Sequence, residues 1–279
     1  MRSFHEAQCH TMLWRAPVTK ITTLIPNSSV VTLTYDPEHL PPGGRLCHGD
    51  FQRFMKRLRI NRSRDASPRY FMAGEYGGQS ARPHFHVILF GESFEDRYES
   101  VDRNGQVQQH SYELDKLWSQ IPREGGRPTN IGRATVDDFS FAGAAYVAGY
   151  VAKKSNAEGP TGPCVEEVDE VTGEVRTVHP FPEYRKMSTH PGLGHDWLLK
   201  GENLVRVFEE DTIRISAWTF HPPRYYDTLL ARHRPELVEE VKAKRLVGMA
   251  EYAANWSIER CAAAERIALE SLQRRRDSL

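Results

Sequence analysis

Two histidines separated by one bulky apolar residue are the side chains of this sequence whose types and spacing most directly suggest chemistry: His84, Phe85 and His86. Side chains two positions apart in a β-strand point to the same face, so the two imidazoles would lie side by side. Neutral imidazole nitrogens are common ligands of divalent metals. Histidines near strand ends are also often ordinary hydrogen-bonded residues. The pair alone therefore predicts a metal site only weakly.

The elements around the pair raise that prediction. The residues after His86 run apolar on both faces as far as Gly91, which predicts a central strand covered on both sides. The segment Arg69–Tyr76 is predicted to be the strand before it, because Gly77 and Gly78 close it and the turn is too short for a crossover helix.

An antiparallel hairpin of these two strands would set Glu75 beside His84 and His86. Two nitrogens and one carboxylate leave coordination positions open, as a Lewis-acid site requires. Such mixed ligands suit Mn²⁺ or Mg²⁺, although Mg²⁺ prefers oxygen. The alternative, that Glu75 is a solvated carboxylate at a strand end, stays open at this point.

A second set of residues is spaced i, i+4, i+7: Tyr146, Tyr150 and Lys153. The region from Ser140 to Ser155 is predicted to be a helix, which would put the three on one stripe with the tyrosines roughly 6 Å apart along the axis. Two phenols beside a cation are what a tyrosine nucleophile acting twice would require, since free tyrosine has a pKa of about 10. The alternative is a pair of amphipathic tyrosines at the edge of a core.

Charge is unevenly distributed along a chain of 279 residues with a formal net charge of zero. Residues 41–70 carry eight basic and two acidic side chains, a net of +6, and residues 155–183 carry one and seven, a net of −6. A helix is predicted from an N-cap at Asp50 to about Arg62, with its basic side chains outside the apolar stripe. We predict that Lys56, Arg57 and Arg59 of this helix contact a DNA backbone, with a merely solvated surface as the alternative.

The remaining pattern predicts an α+β fold with a central antiparallel sheet flanked by helices and a helical C-terminal extension. The other predicted elements are a strand at Val30–Tyr35, a helix near Tyr112–Gln120, a hairpin at Val168–Val178, a loop at His179–Gly194, strands at Val205–Phe208 and Thr212–Phe220, and helix from Tyr225 on. The four cysteines form no C-x-x-C pair, and no apolar run approaches the roughly 20 residues of a membrane helix. We therefore expect a cytoplasmic protein with no membrane partner.

Two motifs together carry a family resemblance. The run His84-Phe85-His86-Val-Ile-Leu-Phe-Gly, followed by Tyr146-x-x-x-Tyr150-x-x-Lys153, resembles the HUH endonucleases, in which two histidines flank a bulky hydrophobic residue. Within them it is most similar to replication initiators of microviruses, small single-stranded DNA phages, and especially of their gokushovirus branch. Similar segments recur in the same order, from about residue 30 to 235: Thr32–Asp36, Gly74–Gly77, Met187–Gly194 and Pro223–Asp227.

The resemblance implies a rolling-circle initiator with a ferredoxin- or RRM-like HUH domain at 1–235 and a helical extension at 236–279. By its motifs, His84, His86 and Glu75 would hold a divalent metal, and Tyr146 or Tyr150 would attack single-stranded origin DNA. The products would be a 5′-phosphotyrosine and a free 3′-OH.

The other roles in the resemblance fall on cations and partners. Lys153 would neutralise developing charge or activate a phenol. Gly149 stands where some relatives carry lysine, and Lys154 would compensate as a DNA contact. The implied partners are origin DNA and host replication proteins, a helicase and a polymerase, in the cytoplasm of the bacterial host.

Three alternatives compete with this interpretation. A histidine-triad nucleotide hydrolase would need a third histidine at position 88, where the chain has Ile88. An HUH relaxase or plasmid-type initiator shares the chemistry but differs in biology. A non-catalytic single-stranded DNA-binding protein would use Tyr146 and Tyr150 for stacking, but it gives no reason for the histidines and Glu75 to converge.

Overall fold

The chain divides into two compact units, one before and one from Gly194. The computed structural model describes residues 27–63, 67–77, 81–102, 104–122, 125–140, 143, 147, 165–168, 173–178, 181–215, 218–253 and 257–277. This division concerns packing. The predicted extent of the catalytic domain, 1–235, and of its extension, 236–279, concerns activity and stays a prediction.

The first unit consists of a sheet, two helices and several hairpins. In chain order its elements are β1 (Ser29–Tyr35), α1 (His48–Ile60), β2 (Arg69–Tyr76), β3 (Pro83–Phe90), β4 (Arg97–Val101), β5 (Val107–Ser111), α2 (Tyr112–Leu117), β6 (Ser119–Gln120), β7 (Thr129–Asn130), β8 (Gly132–Asp138), β9 (Val165–Val168), β10 (Val175–Val178) and β11 (Tyr184–Met187). Five strands form the central sheet in the order β11-β2-β3-β1-β8, and every neighbouring pair is antiparallel. The predicted α+β class and central antiparallel sheet are confirmed.

Strand β3 lies in the middle of this sheet, as its apolar run predicted. Phe85, Val87 and Leu89 point to one face and are completely buried, and Ile88 is equally buried on the other. Strand β1 beside it alternates buried and half-buried residues from Ser29 to Tyr35, because only its odd-numbered side chains enter the main core. Both faces of the sheet are therefore covered near β3.

Helix α1 covers the face that carries Phe85. Its predicted stripe is confirmed: Phe51, Phe54 and Leu58 are buried in one cluster with the odd-numbered residues of β1 and β3. The Phe51 and Phe85 rings lie 5.8 Å apart. The N-cap prediction is wrong, since the helix begins at His48 after Cys47 and leaves Asp50 inside its first turn.

Asp50 is buried there for a different reason. Its carboxylate accepts a hydrogen bond of 2.9 Å from the Tyr35 hydroxyl and pairs with Arg53. A side chain committed to two partners from inside the turn cannot cap the helix. The residue therefore ties α1 to β1.

Both edge strands of the sheet were missed from sequence. The predicted loop at 179–194 contains β11, and the polar region before residue 140 contains β8. Edge strands bury little apolar surface, so their alternation is weak. The hairpin predicted around Gly173 is confirmed, with β9 and β10 paired antiparallel.

The second unit is mainly helical, with the elements α3 (His195–Leu198), α4 (Asn203–Glu210), β12 (Ile213–Ile215), β13 (Trp218–Phe220), α5 (Arg224–His233), α6 (Val238–Ala253) and α7 (Ile258–Asp277). The strand predicted at Val205–Phe208 is wrong: the β-branched run lies in α4, whose Leu204, Val207 and Phe208 share the i, i+3, i+4 stripe of a helix and are buried. Among the described residues, no helix is both long and apolar enough to span a membrane.

Candidate metal centre

The two strands of the predicted hairpin bring three potential ligands together. In the register of β2 and β3, Glu75 is directly opposite His84, and Ala73 is opposite His86. Directly paired residues of antiparallel strands project from the same face, so all three ligands lie on the face away from α1. We call this side of the sheet the metal face.

The three side chains are close and largely buried. Glu75 Oε1 lies 2.8 Å from His84 Nε2 and 2.9 Å from His86 Nε2, and the three potential ligand atoms lie within 4.8 Å of one another. The side chains of Glu75, His84 and His86 are 5%, 15% and 11% exposed. In the part of the chain that the structure describes, this is the one cluster of three or more such residues suited to a metal ion.

The other ring nitrogens fix how these imidazoles are presented. His84 Nδ1 lies 3.0 Å from the carbonyl oxygen of Arg82, and His86 Nδ1 lies 3.0 Å from the hydroxyl of Thr32 on β1. A carbonyl only accepts, so His84 Nδ1 carries a proton. The neutral ring then directs an unprotonated Nε2 at a carboxylate oxygen, an arrangement that requires a further proton or a cation between them.

Glu75 has the electrostatics of an anionic ligand. Burial acts to raise its pKa, but the hydrogen bonds from His84 and His86 outweigh that effect and lower the pKa to about 2. Its second oxygen, Oε2, is buried and has no hydrogen-bond partner among the described residues. A buried unpartnered carboxylate oxygen is costly unless something outside the chain binds it. The donor set therefore fits a divalent cation.

The predicted DNA-contacting side chains of α1 lie elsewhere. Because α1 packs on the opposite face of the sheet, Lys56, Arg57 and Arg59 are not brought to the metal face. Arg57 donates to the carbonyls of Leu117 and Ser119, so it fastens α1 to the segment around α2. Lys56 and Arg59 line a cavity of about 470 Å³ between α1 and the start of β2.

The predicted tyrosine helix is described at only two positions. Tyr146, Tyr150, Lys153 and Lys154 lie outside the described residues, whereas Gly143 and Val147 are described and helical. A Cβ added to Gly143 would lie 3.4 Å from Cγ2 of Val30, and Val147 is completely buried. Val30 is on the metal face because its even-numbered neighbour Thr32 contacts His86. The described start of this helix thus lies on the metal face.

Sequence reasoning missed Thr32 as a partner of the site. The strand prediction for β1 was correct and already set Thr32 on the polar side of its alternation. What the pattern did not contain was the register that pairs Thr32 with His86 across β1 and β3.

Comparison with known proteins points to phage replication. Residues 28–155 match a family model of replication-associated proteins of the ORF2 type. The chain is 26% identical over 228 residues to Replication-associated protein ORF2 of Spiroplasma virus 4, covering 77% of this chain and 62% of that relative. It is 29% identical over 252 residues to Replication-associated protein VP4 of Bdellovibrio phage phiMH2K, covering 88% and 66%.

A shorter match involves Replication-associated protein ORF4 of Chlamydia phage 1, which is 32% identical over 135 residues, 46% of this chain and 31% of that relative. The first two matches span just under two thirds of the relatives' lengths. No solved structure matches the chain. Residues 28–155, which include Glu75, His84 and His86, therefore form a segment of the ORF2-type family of replication-associated proteins, and the resemblance to replication proteins of small phages is confirmed.

Proposed function

We propose that this chain is a rolling-circle replication initiator that nicks and rejoins single-stranded origin DNA by tyrosine transesterification. The observation that carries the proposal is the Glu75–His84–His86 group, with three ligand atoms within 4.8 Å and a buried, unpartnered carboxylate oxygen. A divalent cation, Mn²⁺ or Mg²⁺, held by these residues would polarise the scissile phosphate and offset charge on its non-bridging oxygens. The names of the similar phage proteins support a role in replication.

The chain's own residues would do the rest of the work. Thr32 and the Arg82 carbonyl hold the two imidazoles with Nε2 towards Glu75, so the site needs little reorganisation when a phosphate arrives. The phenol oxygen of Tyr146 or Tyr150 would attack phosphorus, and the 3′ oxygen of the preceding nucleotide would leave with a proton. The resulting 5′-phosphotyrosine retains the phosphodiester bond energy for rejoining.

Two described residues support the proposed nucleophiles. Gly143 is helical and lies against Val30 on the metal face, and Val147, one turn later, is helical and buried. On a regular helix that continues from them, residue 150 is about 20° and residue 146 about 60° from the direction of Gly143. Both phenols would then point to the same side as the contact with Val30. Lys153 falls on that stripe and would favour the phenolate.

A covalent adduct tests this function directly. The chain is incubated with the single-stranded phage genome that encodes it, cut into overlapping oligonucleotides, in the presence of Mn²⁺. We expect one oligonucleotide to give a species that migrates as a protein–DNA conjugate on a denaturing gel. The conjugate should disappear in the Tyr146→Phe, Tyr150→Phe double variant.

The same assay separates the alternatives. A non-catalytic single-stranded DNA-binding protein would bind the oligonucleotides without any adduct. A conjugate that persists in the double tyrosine variant would refute the assignment of the nucleophiles. Since a new 3′-OH must be extended and its strand unwound, we propose a host polymerase and helicase as partners, in the cytoplasm of the bacterial host.

A further inference from the structure

A row of paired residues runs from the metal centre to the edge of the sheet. Glu75 pairs with His84, His84 with Thr34 of β1, and Thr34 with Arg133 of β8. Paired residues share a face, so Arg133 projects from the metal face. Strands lie about 4.8 Å apart, which sets the Arg133 Cα roughly 10 Å from that of His84. Arg133 is exposed.

The side chain of Arg133 forms no hydrogen bond or ion pair with any residue in the described ranges. Gly132 immediately before it allows the close pairing of β8 with β1, because a Cβ at that position would collide with the Thr34 carbonyl oxygen. The register that presents Arg133 is thus fixed by the backbone. The cation is available for a ligand on the metal face.

An aromatic stack stands at the outer edge of the same strand. The rings of Tyr98 and Tyr112 lie 4.5 Å apart at 28°, and those of Tyr98 and His110 lie 5.2 Å apart at 21°. His110 Nδ1 lies 2.7 Å from the carbonyl oxygen of Ala134 and donates to it, which attaches the stack to β8 next to Arg133. Arg133 also interacts electrostatically with Tyr98.

The inner rings of this stack are held and the outer ring is open. Tyr98 donates a hydrogen bond of 2.7 Å to Asp115, and His110 Nε2 lies 2.8 Å from the Ser100 hydroxyl. His110 is 4% exposed, whereas Tyr112 is 59% exposed. A fixed stack that ends in an exposed ring is suited to receive one more planar group.

The nearby carboxylates do not contradict an anionic strand. Asp115 already accepts from Tyr98, and Glu113 pairs with Arg62 at 2.8 Å. Asp96 accepts from the Ser111 hydroxyl. Each of these acids is thus neutralised or occupied within the fold, which leaves Arg133 as the exposed charge between the stack and the metal centre.

We propose that Arg133 and Tyr112 form a subsite for single-stranded DNA, in which Arg133 binds a phosphate one or two nucleotides from the scissile bond and Tyr112 stacks on the base beyond it. The inference rests on the proposed function, since it assumes that the metal centre is where the scissile phosphate lies. It specifies the direction of the strand, which leaves the metal centre across β1 and β8. The chemistry recognised is a phosphate followed by any nucleobase, because every base has a face to stack.

Binding without chemistry tests the subsite. In EDTA, fluorescence anisotropy of a labelled oligo(dA) measures affinity as a function of KCl concentration, and 2-aminopurine replacing single adenines reports stacking. We expect Tyr112→Ala to weaken binding about 5- to 150-fold, and Tyr112→Phe to retain affinity and quenching because it keeps the ring. Arg133→Ala should reduce the slope of log K against log [KCl] by about 0.7, the loss of one phosphate contact.

Matched controls come from the same molecule. Val107→Ala removes an exposed apolar side chain from the same hairpin, and Lys56→Ala removes an exposed cation from the opposite face of the sheet. Both should bind as the unaltered chain does. Wild-type affinity in Tyr112→Ala, an equal loss in Tyr112→Phe, or an unchanged salt slope in Arg133→Ala would overturn the subsite.

These outcomes are separable from failure of the proposed function. Absence of a covalent adduct with Mn²⁺ in the unaltered chain would refute nicking, whereas the EDTA experiment measures binding alone. Thermal melting of each variant checks folding, and Tyr112→Phe and Arg133→Ala change exposed side chains only.

Discussion

The hydrogen bond between Thr32 and His86 makes a sharp prediction for the metal centre. With a cation at Nε2 of His86, Nδ1 must carry the proton and donate it to the Thr32 hydroxyl, 3.0 Å away. The isosteric change Thr32→Val removes this acceptor while keeping the shape. Because the His86 side chain is only 11% exposed, water is a poor replacement for the hydroxyl.

The expected magnitude follows from that unpaired group. Leaving a buried donor without an acceptor costs about 1–3 kcal/mol, and loss of such an outer partner of a metal-bound histidine lowers metal affinity about 10- to 100-fold. Without metal the ring can move its proton to Nε2 and donate to Glu75 instead. The loss should therefore appear in Mn²⁺ affinity far more than in the stability of the metal-free protein.

Isothermal titration with Mn²⁺ measures this effect, and thermal melting in EDTA provides the comparison. Thr32→Ser keeps the hydroxyl and should retain affinity. Thr34→Val is a matched control, because Thr34 pairs with His84, whose Nδ1 is bonded to the Arg82 carbonyl instead. Wild-type Mn²⁺ affinity in Thr32→Val, or an equal loss in Thr34→Val, would refute the reasoning.

Three further outcomes follow from the same structure. Mn²⁺ at a hundredfold its Kd should raise the melting midpoint of the first unit by about 5–10 °C, and this shift should vanish in His84→Ala; a shift that survives would mean that the ion binds elsewhere. Phe85→Ala should lower the free energy of unfolding by about 3–5 kcal/mol in urea titrations, because the ring is completely buried against α1; a cost under about 1 kcal/mol would contradict that packing. The hydrogen bond to Asp115, together with burial, raises the pKa of Tyr98 to about 12, so its stabilising contribution is complete below about pH 10 and is lost as the pH rises through 12. Ultraviolet titration should show this tyrosine ionising earlier in Asp115→Asn, and an unchanged titration would argue against the hydrogen bond.

The sequence was sufficient for the centre of the sheet and for the ligand cluster. The β2–β3 hairpin is local, and its short turn leaves one antiparallel register in which Glu75 meets His84. Strand β3 is apolar on both faces, so its central position also followed from its own residues. Features determined by a few consecutive residues were thus predictable.

Long-range features were not predictable from local pattern. The stripe of α1 shows which side of the helix packs, but not on which face of the sheet the helix lies, so the prediction that its cations contact DNA was made without that information. Strands β8 and β11 depend on β1 and β2 for their pairing and carry little apolar signal. Thr32 and Arg133 became candidate residues only when the register was known.

The four predicted residues at 146, 150, 153 and 154 remain predictions. Their spacing fixes a common helical stripe, and only Gly143 and Val147 of that helix are described. The attachment of DNA to one of the two tyrosines is therefore the step on which the account depends most.

Mass spectrometry of the covalent adduct tests that step most directly. After nuclease and trypsin digestion, the peptide from Ala134 to Lys153 contains both Tyr146 and Tyr150. The account predicts a nucleotide remnant on one of these two phenols, formed with Mn²⁺ by the unaltered chain and absent in His84→Ala. A remnant on another residue, or one that forms equally well in His84→Ala, would contradict it.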